Sequence, residues 1–359
     1  MDRIQHLEKI QLNYILSKNR SGSTLLSNLL NTHPQVISIS EENIYWKLKK
    51  DYGHYTSFTT AEYEQFLNDL FFLFKKPRNF SRYLFPSKKI LLKKLTALNK
   101  DMDYESVCKY IYSQALTVND NGQNIKQIIN KEIHFSHLVE DILKNDSSVK
   151  IIYLTRNYPG NIYAVTKNKM AGKANYVYQA KKWDLEMSRL IEFLDHKEHV
   201  LHIKYRDLIK DTENTLKKIY AFLGLPYDPS YHQKYQGLKN KEVIHILEKN
   251  HELPPETLRL LSDRHKSTLS SINTQKVEEW KTQNVYSKKQ LALIDYICKD
   301  TAEKLGYEYN DKKVSLSLTH RYYLFLAWLG DFVSRKYLLL PVQTKRFLRR
   351  INFFNVFNK

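Results

Sequence analysis

The chain has only two cysteines, Cys108 and Cys298, far apart in 359 residues. That spacing excludes a disulfide framework and a structural zinc site. Glycine is scarce too, with nine residues, and they fall mostly where turns are needed. No apolar run approaches the ~18 residues of a membrane-crossing helix. The first residues, MDRIQHLEKIQLNY, are too polar for a secretory signal. Acidic residues are outnumbered, 38 against 57 Lys and Arg, a net charge of +19. This balance favours anionic partners: a phosphorylated cofactor, an acidic glycan, nucleic acid or an anionic membrane. The chain lacks an aromatic-basic RNA signature and Cys/His finger spacing, which argues against nucleic acid. What remains reads as a cytoplasmic folded protein, with 42% hydrophobic and 13% aromatic residues to build one large domain or two.

The chain is organised around LNYILSKNRSGSTLLSNLLNTHP, residues 12–34. Leu12 to Leu16 suits a buried strand, and the apolar residues 25, 26, 29 and 30 form one face of a helix. The tight loop between them suits an anion. The first amides of a helix have no partner inside it, and the helix dipole adds about half a positive charge there. Gly22 allows close backbone approach, Ser21, Ser23 and Thr24 offer hydroxyls, and Lys18 and Arg20 bring full charge. No lysine follows Gly22, so this is not the loop of ordinary ATP or GTP binding.

Further strands alternate with helices. Val36 to Ile39 is followed by Glu41 and Glu42. These carboxylates suit either a general base beside an anion site or an acidic helix start. Ile125 to Lys131 reads as a second core strand, ending in Lys131. KIIYLTR delivers Arg156 to a helix start with Pro159 in its first turn, a second phosphate site of the kind found at strand ends. Trp183 sits in a long amphipathic helix and reads as core. The alternation predicts an α/β fold, a central parallel β-sheet flanked by helices.

RSGSTLL, its helix and His33-Pro34 resemble the 5′-phosphosulfate loop of sulfotransferases that use 3′-phosphoadenosine-5′-phosphosulfate (PAPS). The resemblance implies that Lys18, Arg20, Ser21, Gly22, Ser23, Thr24 and Leu25 hold that group. The His-Pro and Glu-Glu pattern resembles that of tyrosylprotein sulfotransferases, whose second glutamate is the base. It maps to Glu42, although one extra residue before the pair leaves Glu41 open. Lys131 is similar to the lysine that contacts the bridging oxygen, and with Arg20 would offset charge on the leaving phosphate. Arg156-Asn157 resembles the 3′-phosphate motif; its serine position holds Ala164, with Thr166 two residues on as a substitute. Tyr205, Asp207, Leu208 and Phe222 to Leu225 match scaffold positions, with Arg206 in place of a glutamate. Residues 262–283, ending in Trp280-Lys281, resemble the segment that closes over the nucleotide; Ser267 or Ser271 would be its cofactor-binding serine.

The resemblance implies the P-loop-like sulfotransferase fold over residues 1–310 and a metal-free transfer of a sulfuryl group to an acceptor hydroxyl. The basic surface and the C-terminal tail favour a glycan or glycolipid acceptor, with peptide tyrosine and a small molecule left open. Residues 311–359 form a basic, aromatic extension; its tail KRFLRRINFFNVFNK mixes charge and bulk as helices at anionic membrane surfaces do. A nucleotide-dependent kinase and a non-catalytic glycan- or membrane-binding protein are the competing readings.

Overall fold

The computed structural model describes residues 7–40, 43–74, 85–115, 125–133, 136–167, 175–237 and 272–350. Five parallel strands form one sheet: β1 (Gln11–Ser17), β2 (Val36–Ser40), β3 (Gln127–Ile133), β4 (Ile151–Thr155) and β5 (Val200–Lys204), in the order β2-β3-β1-β4-β5. The first helix, α1 (Ser23–Leu30), follows β1. Between β2 and β3 lie α2 (Ile44–Tyr52), α3 (Thr60–Phe74), α4 (Lys88–Ala97) and α5 (Tyr104–Ser113). Then come α6 (Val139–Asn145), α7 (Tyr158–Thr166) after β4, and α8 (Tyr176–Ile191). After β5 run α9 (Tyr205–Lys210), α10 (Thr212–Leu223), α11 (Pro229–Gly237), the short α12 (Glu279–Thr282), α13 (Lys288–Lys304), α14 (Leu318–Leu338) and α15 (Val342–Arg350).

The central strand β1 is buried on both faces, which is why its middle, Tyr14 to Leu16, reads as a continuous apolar run and its Asn13 is buried as well. Tyr14 and Leu16 join a core with Tyr158 and Ile162 of α7 and Trp183 of α8. Ile15 faces the other way, into a core with Leu26 and Leu29 of α1 and Leu216 of α10. So α1 and α7, which follow the neighbouring strands β1 and β4, cover opposite faces of the sheet. A crevice between two such helices, at the carboxyl ends of their strands, is where open α/β sheets bind ligands. The register fixes its floor: Ser17 pairs with Leu154, so both strands end at the same level.

Two local signals set element ends. Gly224 takes φ +68° at the C-terminus of α10, the left-handed geometry that stops a helix. Pro159 stands in the first turn of α7, where its missing N–H costs nothing. Lys131 differs slightly from expectation. The strand continues to Ile133, so Lys131 lies within β3, in register with Ile15 on one side and Ser40 on the other. The ladder holds the extra residues Glu132 and Ile133 because β1 runs on alongside and pairs with them through Leu16 and Ser17, while β2 ends opposite Lys131.

Candidate active site

The loop from Lys18 to Gly22 alternates its backbone handedness. Arg20 takes φ +64° and Gly22 φ +92°. Alternation of this kind turns successive amides toward one point and forms an anion-binding concavity. Gly22 occupies the N-cap of α1, with no side chain bonded to the first helical amides and no acidic residue in the first turn. The amide end and dipole of α1 are thus left to an external anion. Gly22 is required twice over. Its φ disfavours any other residue, and a Cβ there would come within 2.5 Å of the Tyr205 ring.

Arg156 reaches this loop from the end of β4. It is buried, and its Nη1 donates to the Arg20 carbonyl at 3.2 Å while its Nη2 donates to the Lys276 carbonyl at 2.9 Å. Its guanidinium lies 4.6 Å from the centre of the Tyr205 ring. The same tyrosine ring therefore packs under the loop glycine and against the arginine. Burial lowers the Arg156 pKa; the Tyr205 side raises it and Arg20 lowers it. Lys276 is lowered first by burial, then by Arg20, Arg156 and Lys167, against the opposing charge of Glu279. Cations converge here with little acid to balance them, an arrangement that favours a polyanionic guest.

Two donors converge without partners. Arg156 Nε and Trp280 Nε1 are buried and make no hydrogen bond among the described residues. Both border Gly160 of α7: a Cβ placed there would lie 3.3 Å from Arg156 Nε and 3.2 Å from Trp280 Cδ1. An unsatisfied buried donor costs about 1–3 kcal/mol. A ligand oxygen accepting from them would remove that cost, and the residues present fit a phosphate group.

Asn161 of α7 braces the loop. Its Nδ2 donates to the Asn19 carbonyl at 2.9 Å and to Ser21 Oγ at 3.2 Å. Trp183 does more than fill the core, for its indole N–H donates to the Arg156 carbonyl at 3.0 Å. Tyr286 of the segment before α13 donates to the Pro159 carbonyl at 3.1 Å, holding that segment against the start of α7.

The remaining candidates are placed as follows. Ser21 is buried in the loop and Ser23 at the start of α1, Thr24 and Leu25 are half-buried in the first turn of α1, and Arg20 is exposed at the mouth. Lys18 is buried, and its pKa falls to about 8. Desolvation is the main cause, followed by Lys182, with Glu186, Cys298 and Asp331 acting in the opposite sense. Lys131 is buried within β3. Thr166 lies two residues past Ala164 in an unbroken α7, about 200° around the helix axis. Its hydroxyl donates to the Tyr163 carbonyl at 3.2 Å. Glu41, Glu42, Ser267 and Ser271 lie outside the described residues. Among the described residues, no group of three or more His, Cys, Asp or Glu side chains is arranged to hold a metal ion.

Sequence reasoning missed Asn161 and Lys276 and took Tyr205 and Trp183 for scaffold. Asn161 had a usable signal, one turn beyond Asn157 on the helix that follows the arginine strand. Lys276 had none, because its contact with Arg156 runs through its backbone carbonyl, which any residue would supply.

Known proteins bear on this geometry. A model described as the sulfotransferase family matches residues 14–229, more than half of the chain. Cytosolic sulfotransferase 14 of Arabidopsis thaliana is 23% identical over 232 residues, which are 58% of this chain and 62% of that protein. The chain thus spans less than two thirds of that relative's length. Among solved structures, the sulfotransferase domain from the Synechococcus PCC 7002 olefin synthase superposes with a TM-score of 0.54 at 17% identity, covering 84% of this chain and 97% of that one. The sulfotransferase domain from the curacin biosynthetic pathway gives a TM-score of 0.52 at 20% identity, over 84% and 99%. These two share the fold of a parallel sheet flanked by helices, and the match across residues 14–229, which takes in the anion loop, Arg156 and Tyr205, places this chain in the sulfotransferase family.

Proposed function

We propose that this protein transfers a sulfuryl group from PAPS to an acceptor hydroxyl of a glycan or glycolipid. The observation that carries the reading is Arg156: a buried arginine tied to the anion loop, with one donor and the neighbouring Trp280 N–H left for a ligand oxygen. A loop for one phosphate beside a buried arginine for another fits a nucleotide phosphorylated at both the 3′ and 5′ positions. Bound there, the nucleotide supplies the activated sulfuryl group.

The residues divide the work. Ser21, Gly22, Ser23, Thr24 and Leu25 hold the 5′-phosphosulfate by amides and hydroxyls, with the charge of Lys18 beneath and Arg20 at the mouth. Arg156 takes the 3′-phosphate. Glu42, or Glu41 beside it, accepts the acceptor's proton as the hydroxyl oxygen bonds to sulfur; the bond from sulfur to the bridging oxygen breaks, and its electrons stay on the departing phosphate. Lys131 and Arg20 stabilise that oxygen. Two features support the pairing of base and lysine: β2 ends at Ser40, one residue before Glu41, and Ser40 is in register with Lys131. Positioning and fixed positive charge are effective in transfers of this kind. The net charge of +19 supports an acidic or glycan acceptor over an apolar one.

Calorimetric titration with adenosine 3′,5′-bisphosphate, against ATP with Mg²⁺, tests the cofactor class. Micromolar bisphosphate binding with ATP much weaker is expected; preference for ATP overturns the reading in favour of a kinase. Arg156→Ala sharpens the test. It should weaken the bisphosphate by about 10–100-fold, the worth of a lost charged hydrogen bond, and adenosine 5′-monophosphate far less. Equal losses would remove Arg156 from the 3′ site.

A further inference from the structure

Helix α14 is turned inside out. Leu318 (86% exposed), Tyr322 (58%), Phe325 (55%), Trp328 (48%) and Phe332 (40%) recur every three or four residues and face solvent. Phe325, Trp328 and Phe332 stack in sequence, with ring centres about 6 Å apart: 6.0 Å, then 5.8 Å. The opposite face is small and charged. Ala327 and Asp331 are buried there, and a Cβ on Gly330 would lie 3.1 Å from the Tyr178 hydroxyl of α8. Asp331 bonds Arg189 of α8, pairs with Arg335 at 3.0 Å and lies 3.8 Å from Lys182. The buried ion cluster fixes the helix in this orientation, so the aromatic ridge is a built feature of the surface. Soluble monomers rarely expose a contiguous apolar patch of this kind.

We propose that this ridge inserts into the surface of an anionic lipid bilayer. Charge selects this occupant. Arg321 and Lys336 are exposed and, by helical spacing, share the ridge's side of α14; Asp331, the one acidic residue of α14, is buried on the other side. Aromatic rings flanked by Arg and Lys suit the headgroup layer of a negatively charged membrane. A second copy of the chain would bring the same cations, and a net +19 each, against one another. No helix among the described residues is long and apolar enough to cross a membrane, so the mode is lying on the surface. The inference is independent of the sulfotransferase chemistry.

The test uses the full chain with vesicles of phosphatidylcholine alone or with about a third phosphatidylglycerol, near 0.1 M salt, where the screening length is about 10 Å. The protein should cosediment with the anionic vesicles, and brominated lipids should quench tryptophan emission in a way that Trp328→Phe abolishes. The triple variant Phe325→Glu, Trp328→Glu, Phe332→Glu should lose at least tenfold in partitioning with an unchanged or higher Tm. Arg321→Gln with Lys336→Gln should lose about thirtyfold on anionic vesicles and nothing on neutral ones. Adsorption without quenching, or equal partitioning of the triple variant, overturns the proposal. So does a concentration-dependent dimer, seen by ultracentrifugation, that the triple variant abolishes.

Discussion

The candidate anion site and helix α14 break the same rule in opposite directions. At the strand ends, polar and charged groups turn inward: Lys18, Ser21, Arg156 and Asn161 are all buried. Along α14, large apolar groups turn outward, and a buried aspartate holds them there. Ordinary folding drives neither arrangement, since charge prefers water and aromatic rings prefer the core. Where a sequence gives up stability in this way, the missing partner is usually external. The inward polar groups want an anion that brings its own hydrogen-bond acceptors. The outward rings want an apolar phase. Each departure thus specifies the chemistry of its partner.

The largest effect should come from Gly22→Ala, compared with Gly224→Ala. Both glycines have positive φ, +92° and +68°, so each substitution costs about 1–2 kcal/mol of backbone strain. Only Gly22 also meets a ring, Tyr205 at 2.5 Å; nothing lies within 4 Å of a Cβ at Gly224. Displacing a packed ring adds about 1–3 kcal/mol. Gly22→Ala should therefore lower Tm more than Gly224→Ala and abolish bisphosphate binding, which Gly224→Ala should preserve. Combining Gly22→Ala with Tyr205→Ala should recover part of the Tm. Equal Tm losses in the two single variants would show that Tyr205 yields, and that the loop is less tightly braced than the contact implies.

The same contrast explains what the sequence conveyed. The strands, the tight turn after β1 and the place of Arg156 at a strand end were legible because each is local: an apolar run, a polar turn with one glycine, a strand closing on a cation. The α/β fold followed from their alternation. Tyr205 under Gly22 was not legible, because the two are brought together by the sheet across more than 180 positions. The same holds for the Lys276 carbonyl on Arg156. On α14 the run YYLFLAWLG is apolar almost throughout, and a run without polar breaks does not say which side faces in. That is decided by Asp331 finding Arg189 and Lys182 on α8, a long-range ion cluster that no local pattern encodes.

A middle-sized effect sits at Lys18, where burial sets stability and binding against each other. Its pKa is lowered from 10.5 to about 8 in the folded chain. Folding thus disfavours the charged form. The penalty, roughly 3 kcal/mol at 1.36 kcal/mol per unit, is fully present below about pH 8 and is gone above pH 10.5. Measured against Lys18→Met, wild-type stability should rise across that window. Anion binding should move the other way. As the amine loses its proton above pH 8, bisphosphate affinity should fall by up to tenfold per pH unit, and Lys18→Met should flatten the profile. A wild-type profile as flat as the variant's would mean that Lys18, lying near Lys182, Glu186 and Asp331, serves the buried ion cluster and does not sense the nucleotide.

The smallest expected effect is the most direct check on site assignment. Thr166 was the sequence's substitute for the hydroxyl absent at Ala164. Its hydroxyl donates within α7 to the Tyr163 carbonyl, and helical geometry turns it away from the face that carries Ala164. Such a back-bond in a helix contributes little to stability. Thr166→Ala should leave bisphosphate affinity within about twofold, the range of a surface substitution of up to 0.5 kcal/mol, with Tm nearly unchanged. A tenfold loss specific to the 3′-phosphorylated nucleotide would instead show that Thr166 swings to the ligand. The inward-facing polar set around Arg156 would then extend a further turn along α7, and Ala164 would cease to mark a missing donor.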